Sequence, residues 1–222
     1  MLKAQFARLG AFIRRKGLRV SMHPGQFTVL NSPRRDVIVS SIRELEYHAA
    51  FLEALGVDDS NKIVIHLGGI YDDKGASLKR FLETCETLDP RIKARLVIEN
   101  DERCYTIADV LSASKAVGVP VVFDVFHHIW NPALERHSLR AIIELVAKTW
   151  RKCDGRVKIH YSNQWPGKPP GTHSKSISVR KFLEFYDTVE DLDLDIMLEV
   201  KDKEQSVLKL LQFLRARQVC AA

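Results

Sequence analysis

Val121-Val122-Phe123-Asp124-Val125-Phe126-His127-His128 decides the reading of this 222-residue chain. Five of its first six residues are apolar, and it follows Gly118 and Pro120, which close a helical pattern. A short apolar run after such a break predicts a strand buried on both faces, as in a parallel sheet. A buried strand does not readily hold an unpaired carboxylate, because stripping water from the charge is costly. Asp124 therefore needs a partner, and His127 and His128 follow within one turn. Two readings stay open. Asp124 caps the next segment beside a surface His pair, or Asp-x-x-His supplies metal ligands at the carboxyl end of a parallel strand.

Outward from this stretch the chain alternates. Toward the N-terminus, strands are predicted at Leu18–Met22, Lys62–Gly69 and Arg95–Glu102. Between them, apolar residues at helical spacing predict helices over Met1–Lys16, Asp36–Leu55, Ala76–Leu88 and Ile107–Val117. Gly17, Gly56 and Gly118 supply stop signals for three of them. Toward the C-terminus come a helix over Leu139–Trp150, a strand at Arg156–Ser162 and a helix over Val179–Thr188. A last strand, Asp195–Lys201, and a helix over Val207–Arg217 close the series. The loop Trp165–His173 is rich in Pro and Gly and suits neither helix nor central strand. Six strands alternating with helices predict an α/β chain with a parallel sheet in one domain over residues 1–222.

Composition narrows the class. Hydrophobic residues are 45% and charged residues 28%, which suits a globular domain with a real core. No apolar run approaches the ~18 residues of a membrane span, and no signal-peptide pattern opens the chain. Cys85, Cys104, Cys153 and Cys220 are scattered without Cys-x-x-Cys spacing, so we expect free thiols in a cytoplasmic protein. A formal charge of +6 permits a polyanionic partner and equally fits a slightly basic surface.

Each predicted strand ends near a side chain able to bind metal: His23, His66, Glu99, Asp124, His160 and Glu199. The chain has only 8 His and 28 Asp or Glu, so six strand ends out of six is an enrichment. In a barrel these ends converge on one mouth. Imidazoles crowded with carboxylates suit divalent ions such as Zn²⁺ or Mn²⁺, and the mixed set argues for more than one. Clustered ions suit phosphodiester hydrolysis. His48 and His137 read as surface residues, and His128 as either a supporting residue or a packing one. Lys158 faces the same way as His160, either buried beside the metals or at a solvated strand end. Phe27 stands just past a strand-end His, as a loop anchor or a stacking group.

These motifs, taken in order, resemble the UV damage endonucleases, a metal-dependent TIM-barrel DNA repair family related in fold to endonuclease IV. The resemblance spans essentially the whole chain. It rests on His23-Pro24-Gly25-Gln26-Phe27, Ile65-His66-Leu67-Gly68-Gly69, Ile98-Glu99-Asn100-Asp101-Glu102 and Asp124-x-x-His127-His128. Lys158-x-His160-Tyr161-Ser162, His173-Ser174 and Leu198-Glu199-Val200-Lys201-x-Lys203-Glu204 complete it. It implies incision immediately 5′ of UV photoproducts, and action at abasic sites, in damaged double-stranded DNA. It implies three divalent ions, Mn²⁺ favoured with Zn²⁺ or Mg²⁺ as alternatives. The implied ligands are His23, His66, Glu99, Asp124, His127, His160, His173 and Glu199, with Glu99 bridging two ions. Glu99, Lys158 and Glu199 are the implied catalytic residues, and Lys158 matches a family lysine that can be carboxylated. Gln26 and Phe27 match a Gln–aromatic pair that probes the DNA stack, where the usual aromatic is Tyr.

The start departs from the family pattern, which carries two further strands before the first helix. The expectation is an incomplete, N-terminally truncated TIM-barrel-like fold with six of eight βα units. Open edges at the strands ending in His23 and Glu199 would invite self-association, or a chain supplying the missing strands. Two alternatives remain: an inactive remnant that binds only DNA or metal, and a sugar-isomerase-like metalloenzyme.

Overall fold

This computed structural model describes residues 2–221, with side chains through Arg217. Met1, the expected start of the first helix, and the Cys220 thiol lie outside them. Helix α1 (Leu2–Arg15) and helix α2 (Arg35–Ala54) come first. The sheet elements β1 (Ile63–His66), β2 (Leu96–Glu99), β3 (Val121–Asp124), β4 (Val157–Tyr161) and β5 (Leu194–Leu198) follow in chain order. Helices α3 (Lys74–Glu86), α4 (Pro90–Arg95), α5 (Ile107–Val117), α6 (Val125–Trp130), α7 (Leu139–Ala147), α8 (Val179–Tyr186) and α9 (Glu204–Ala221) are threaded between and after them. The strands lie in the order β1-β2-β3-β4-β5, and every pair is parallel. The expected parallel α/β architecture is therefore present. No described helix is long and apolar enough to cross a membrane.

One predicted strand is reduced. Leu18–Met22 pairs with the sheet at one residue, Met22 beside Ile63, so five strands form where six were expected. The backbone just before Met22 has other partners, and Leu18 N donates to the Ile13 carbonyl at 3.0 Å. Val20 N donates to Asn61 Oδ1 at 2.7 Å, and Arg19 reaches the carbonyls of Ser60, Asp154 and Arg156. Pro24, just past His23, has no N–H with which to extend a ladder. Among the described residues no strand pairs with the outer edge of β5.

Alternation along the strands divides the core. Ile63, Ile65, Leu96, Ile98, Val121, Phe123 and Ile159 belong to the main cluster, which also holds the helix residues Leu45, Leu52, Phe81, Val110 and Ile142. Val64, Val97 and Val122 point the other way and form a small separate layer, with Trp150 against it. Each is almost fully buried, worth roughly 1.5–3 kcal/mol. Gly10 lets α1 lie on the end of α2, because a Cβ there would sit 1.7 Å from the Leu55 carbonyl oxygen. Arg14 then donates to the carbonyls of Leu55 and Gly56, which directly follow α2.

Two short helices escaped the sequence reading. Helix α4 begins at Pro90, behind the Asp89 cap, and runs directly into β2. Helix α6 begins one residue after Asp124. His48 also corrects its reading: it is 7% exposed, and its Nδ1 donates to the Glu44 carbonyl at 2.7 Å. The α2 face that carries it packs with Leu45 and Leu52 instead of facing water. His137 is exposed, as expected.

Candidate metal centre

A strand's side chains repeat every two residues, so the residue two beyond each valine of the inner layer shares its face. From Val64, Val97 and Val122 this gives His66, Glu99 and Asp124. On β4 the same step leads from Lys158 to His160, and past β5 from Met197 to Glu199. His66 is level with Glu99, and Asp124 with His160. Glu99 is level with Val122, so Asp124 stands two residues further along its strand, about 7 Å. Reaching along the strand, the Glu99 side chain nonetheless meets both levels. Ligand atoms of His23, His66 and Glu99 lie within 4.8 Å of one another, as do those of Glu99, Asp124, His160 and Glu199.

Glu99 is the hub. Its Oε2 is 3.0 Å from His23 Nε2 and 3.3 Å from His66 Nε2, and its Oε1 is 2.6 Å from His160 Nδ1. His160 Nδ1 is also 3.0 Å from Glu199 Oε1. Most of these contacts lack hydrogen-bond alignment. His66 Nε2, Glu99 Oε1, Asp124 Oδ2 and His160 Nδ1 are buried and make no hydrogen bond. Leaving a buried polar atom unpaired costs about 1–3 kcal/mol, so four together call for a further partner. Imidazole and carboxylate donors are the set that divalent transition ions take.

Asp124 caps the next segment, as one reading of the opening stretch has it, but His127 beside it is buried and not at the surface. Asp124 Oδ1 accepts from His127 N at 2.7 Å and caps α6, while its Oδ2 stays free in the cluster. Helix α6 in turn carries His127 into the site. Asn100 holds β2 and β3 together there, donating to the Asp124 carbonyl at 3.0 Å and accepting from its N–H at 2.9 Å. The Asn100 carbonyl accepts from His127 Nδ1 at 2.9 Å.

The same arrangement recurs in other histidines. His23 Nδ1 faces the Pro24 carbonyl at 3.1 Å, and His173 Nδ1 faces the Glu199 carbonyl at 2.9 Å. A carbonyl only accepts, so the proton belongs on Nδ1 and Nε2 keeps its lone pair, as in metal-bound histidines. His127 stands 5.4 Å from His66 and 5.5 Å from His173, ring centre to ring centre. All eight predicted ligands thus line one connected site. His127 and His173 stand around the two tight groups and not within them.

The electrostatics of the cluster suit a cation. Burial disfavours charge on Glu99, but His160 foremost, then His23 and His66, hold its carboxyl well below the usual range. Burial likewise disfavours the His160 cation, yet Glu99 and Glu199 hold its pKa well above the ordinary value. Asp124 goes up, through burial and through the charges of Glu99 and Glu199. Three carboxylates in one dehydrated space are stabilised by added positive charge, and a divalent ion supplies it.

The site opens into a cleft of about 920 Å³ lined by His23, His66, His127, His173 and Glu199, and also by Gln26 and Phe27. Phe27 is 82% exposed. Lys158 is placed differently. It is buried and lines a second cavity with Arg19, Arg156, Asp193 and Asp195. Among the described residues no carboxylate oxygen lies within 4.0 Å of its amine, and burial lowers its pKa to about 8. His128 packs edge-on against Phe123 at 5.2 Å, outside the ligand groups. Asn100, Tyr71 and Arg103 were missed. Asn100 is fully buried, and the other two line the cleft. Only the polar run from Glu99 to Glu102 hinted at Asn100.

Comparison with known proteins bears on this geometry. The family model described as UV-endonuclease UvdE matches residues 1–221. The UV DNA damage endonuclease of Clostridium perfringens is 46% identical over 214 residues, covering 96% of this chain and 52% of that one. The chain thus spans about half the length of that relative. The crystal structure of SacUVDE superposes with a TM-score of 0.91 at 42% identity, over 98% of this chain and 72% of that one. Endonuclease IV from Thermus thermophilus, at 15% identity and a TM-score of 0.60 over 96% of this chain and 80% of that one, shares the fold. The family-model match over residues 1–221, the identity to a UV DNA damage endonuclease and the shared parallel-sheet fold lead to one conclusion: the chain belongs to the UV-endonuclease UvdE family.

Proposed function

We propose that this chain is a metal-dependent DNA repair endonuclease that nicks the phosphodiester immediately 5′ of UV photoproducts, and acts at abasic sites. The observation that carries the reading is Glu99, buried and touching His23, His66 and His160 at once within a cluster of unpaired buried donors. Three ions with Mn²⁺ favoured, Glu99 bridging two, is the composition we propose. His23, His66 and Glu99 would hold one ion, and Glu99, Asp124, His160 and Glu199 another, with His127 and His173 offering Nε2 to the third. Ions so held would supply Lewis acidity to water and to phosphoryl oxygens.

The protein's own part is to bind, orient and exclude water. Damaged double-stranded DNA is the proposed partner. The Gln26–Phe27 loop stands at the mouth of the cleft, where Phe27 would wedge into the stack and make the damaged, weakly stacked nucleotides the easier ones to draw out. Arg34 and Arg103 line the same cleft and would meet phosphates. Lys158, near pKa 8, is neutral often enough at neutral pH to take up carbon dioxide, the modification we propose for it. Residues 1–222 act as one barrel-type domain in this reading, at work in the cytoplasm. Incision of a duplex bearing a single cyclobutane pyrimidine dimer tests the proposal. A nick elsewhere, or one indifferent to chelation, would refute it.

A further inference from the structure

Tyr71 stands in the loop that follows β1, five residues past His66, and lines the same cleft as His66 and Phe27. Its backbone has φ +49°, and Asp72 follows at φ +68°. Two consecutive non-glycine residues in the left-handed region are uncommon, and a bulky aromatic there is a true outlier. The surroundings hold it in place. Asn31 donates to the Gly69 carbonyl at 2.7 Å, Tyr105 donates to the same oxygen at 3.2 Å, and Ser77 donates to the Ile70 carbonyl. The ring lies close on Gly69, where an added Cβ would be 3.2 Å from ring carbons. The Arg80 guanidinium carbon is 5.8 Å from the ring centre, and Arg80 is itself fixed by the Asn31 carbonyl and Ser77 Oγ.

This strain does not serve the hydrophobic core. Tyr71 is 40% exposed, and it belongs neither to the main core nor to the hydrophobics packed against it. Among the described residues its hydroxyl makes no hydrogen bond within the chain. Strain kept by a rigid frame at a site mouth, around a ring left 40% exposed, points to a ligand that uses the ring. Every nucleobase offers a π-face, and the Arg80 guanidinium beside the ring suits the phosphates that accompany it.

Resting on the DNA reading above, we infer that Tyr71 is a stacking platform for a nucleobase at the mouth of the metal cleft, separate from Gln26 and Phe27. The test compares the Mn²⁺-loaded full chain with Tyr71→Gly and Tyr71→Phe. The probe is a duplex bearing one cyclobutane pyrimidine dimer, with 2-aminopurine placed in turn beside it and opposite it. Tyr71→Gly is expected to raise KM for incision about ten-fold or more with kcat little changed. It is expected to abolish the fluorescence quench at one 2-aminopurine position. It is also expected to raise Tm, because glycine accepts the left-handed backbone without strain. Tyr71→Phe keeps the ring and restores both KM and the quench. Unchanged KM and quench in Tyr71→Gly would overturn the inference, and so would a lowered Tm with lost metal, the mark of a structural role. If the wild-type chain neither binds nor nicks the duplex, the DNA reading itself fails. If wild type and Tyr71→Gly act alike, only the role of Tyr71 fails.

Discussion

Glu99 Oε1 lies 2.6 Å from His160 Nδ1, and both atoms are buried without a hydrogen bond. Two polar groups this close and this dry, yet misaligned, are arranged for a third party between or beside them. Glu99 also belongs to both groups of side chains that could hold an ion, so one carboxylate joins them.

Metal should therefore stabilise the fold as well as equip the site. Adding Mn²⁺ to chelator-treated protein relieves four unpaired atoms and the crowding around Asp124. At a hundred times its dissociation constant, an ion that binds only the folded state adds about 2.7 kcal/mol. Thermal unfolding with Mn²⁺ and with EDTA should show a higher Tm with Mn²⁺. Atomic emission analysis should find more than one ion per chain. Identical Tm values would count against the centre.

Asn100 should matter although it is no ligand. Asn100→Ala leaves the Asp124 N–H and carbonyl without their partners, at about 1–3 kcal/mol each. Partners that orient ligands typically change metal affinity by about 10–100-fold. Urea unfolding and a metal titration on the same variant read both effects. Loss of stability with metal affinity intact would confine Asn100 to the scaffold.

Phe27→Ala should separate stability from recognition. The ring is 82% exposed, so its removal should shift stability by less than about 0.5 kcal/mol. Binding to the damaged duplex should weaken markedly, with Gln26→Ala acting in the same direction. Fluorescence anisotropy with labelled duplex measures the change. Equal affinities would remove this loop from the interface.

Acid should also weaken the opposite end of the strands. Lys62 Nζ is fully buried, 2.6 Å from Asp154 Oδ1. Burial opposes the Asp154 charge, but hydrogen bonds from Arg151 and Lys62 outweigh it and lower its pKa to about 2. A carboxylate with a depressed folded pKa contributes stability above its unfolded value of about 4 and loses it as pH falls through about 2. Asp154→Asn strands a buried ammonium and should cost about 3–5 kcal/mol at pH 7. The gap between wild type and variant should narrow as pH falls from about 4 toward 2. Urea denaturation across that range checks it, and a gap that stays constant would contradict the assignment.

The strand-end logic was visible in the sequence because period two is local. Val64 and His66, Val97 and Glu99, Val122 and Asp124 share faces whatever the rest of the chain does. The α5 helix, ending at Gly118 in the left-handed conformation, was visible for the same reason. What escaped depends on distant partners. Leu18–Met22 has the composition of a strand, but Asn61 Oδ1 takes the Val20 N–H and the Ile13 carbonyl takes that of Leu18. His48 looks like a surface residue until α2 is seen to turn that face inward. Helix α6 is set by the cap that Asp124 places on His127 N, which a run of apolar residues does not announce. Asn100 and Tyr71 matter through geometry that no spacing encodes.

The most direct test is an end-labelled duplex with one cyclobutane pyrimidine dimer, incubated with the wild-type chain and with Glu99→Gln, in Mn²⁺ and in EDTA. Glutamine keeps the size of the hub and removes its charge. The account predicts a single cut immediately 5′ of the dimer by wild type in Mn²⁺. It predicts none in EDTA and none by folded Glu99→Gln. A cut that survives EDTA, a fully active Glu99→Gln, or a folded and metal-loaded wild type that leaves the strand intact would contradict it.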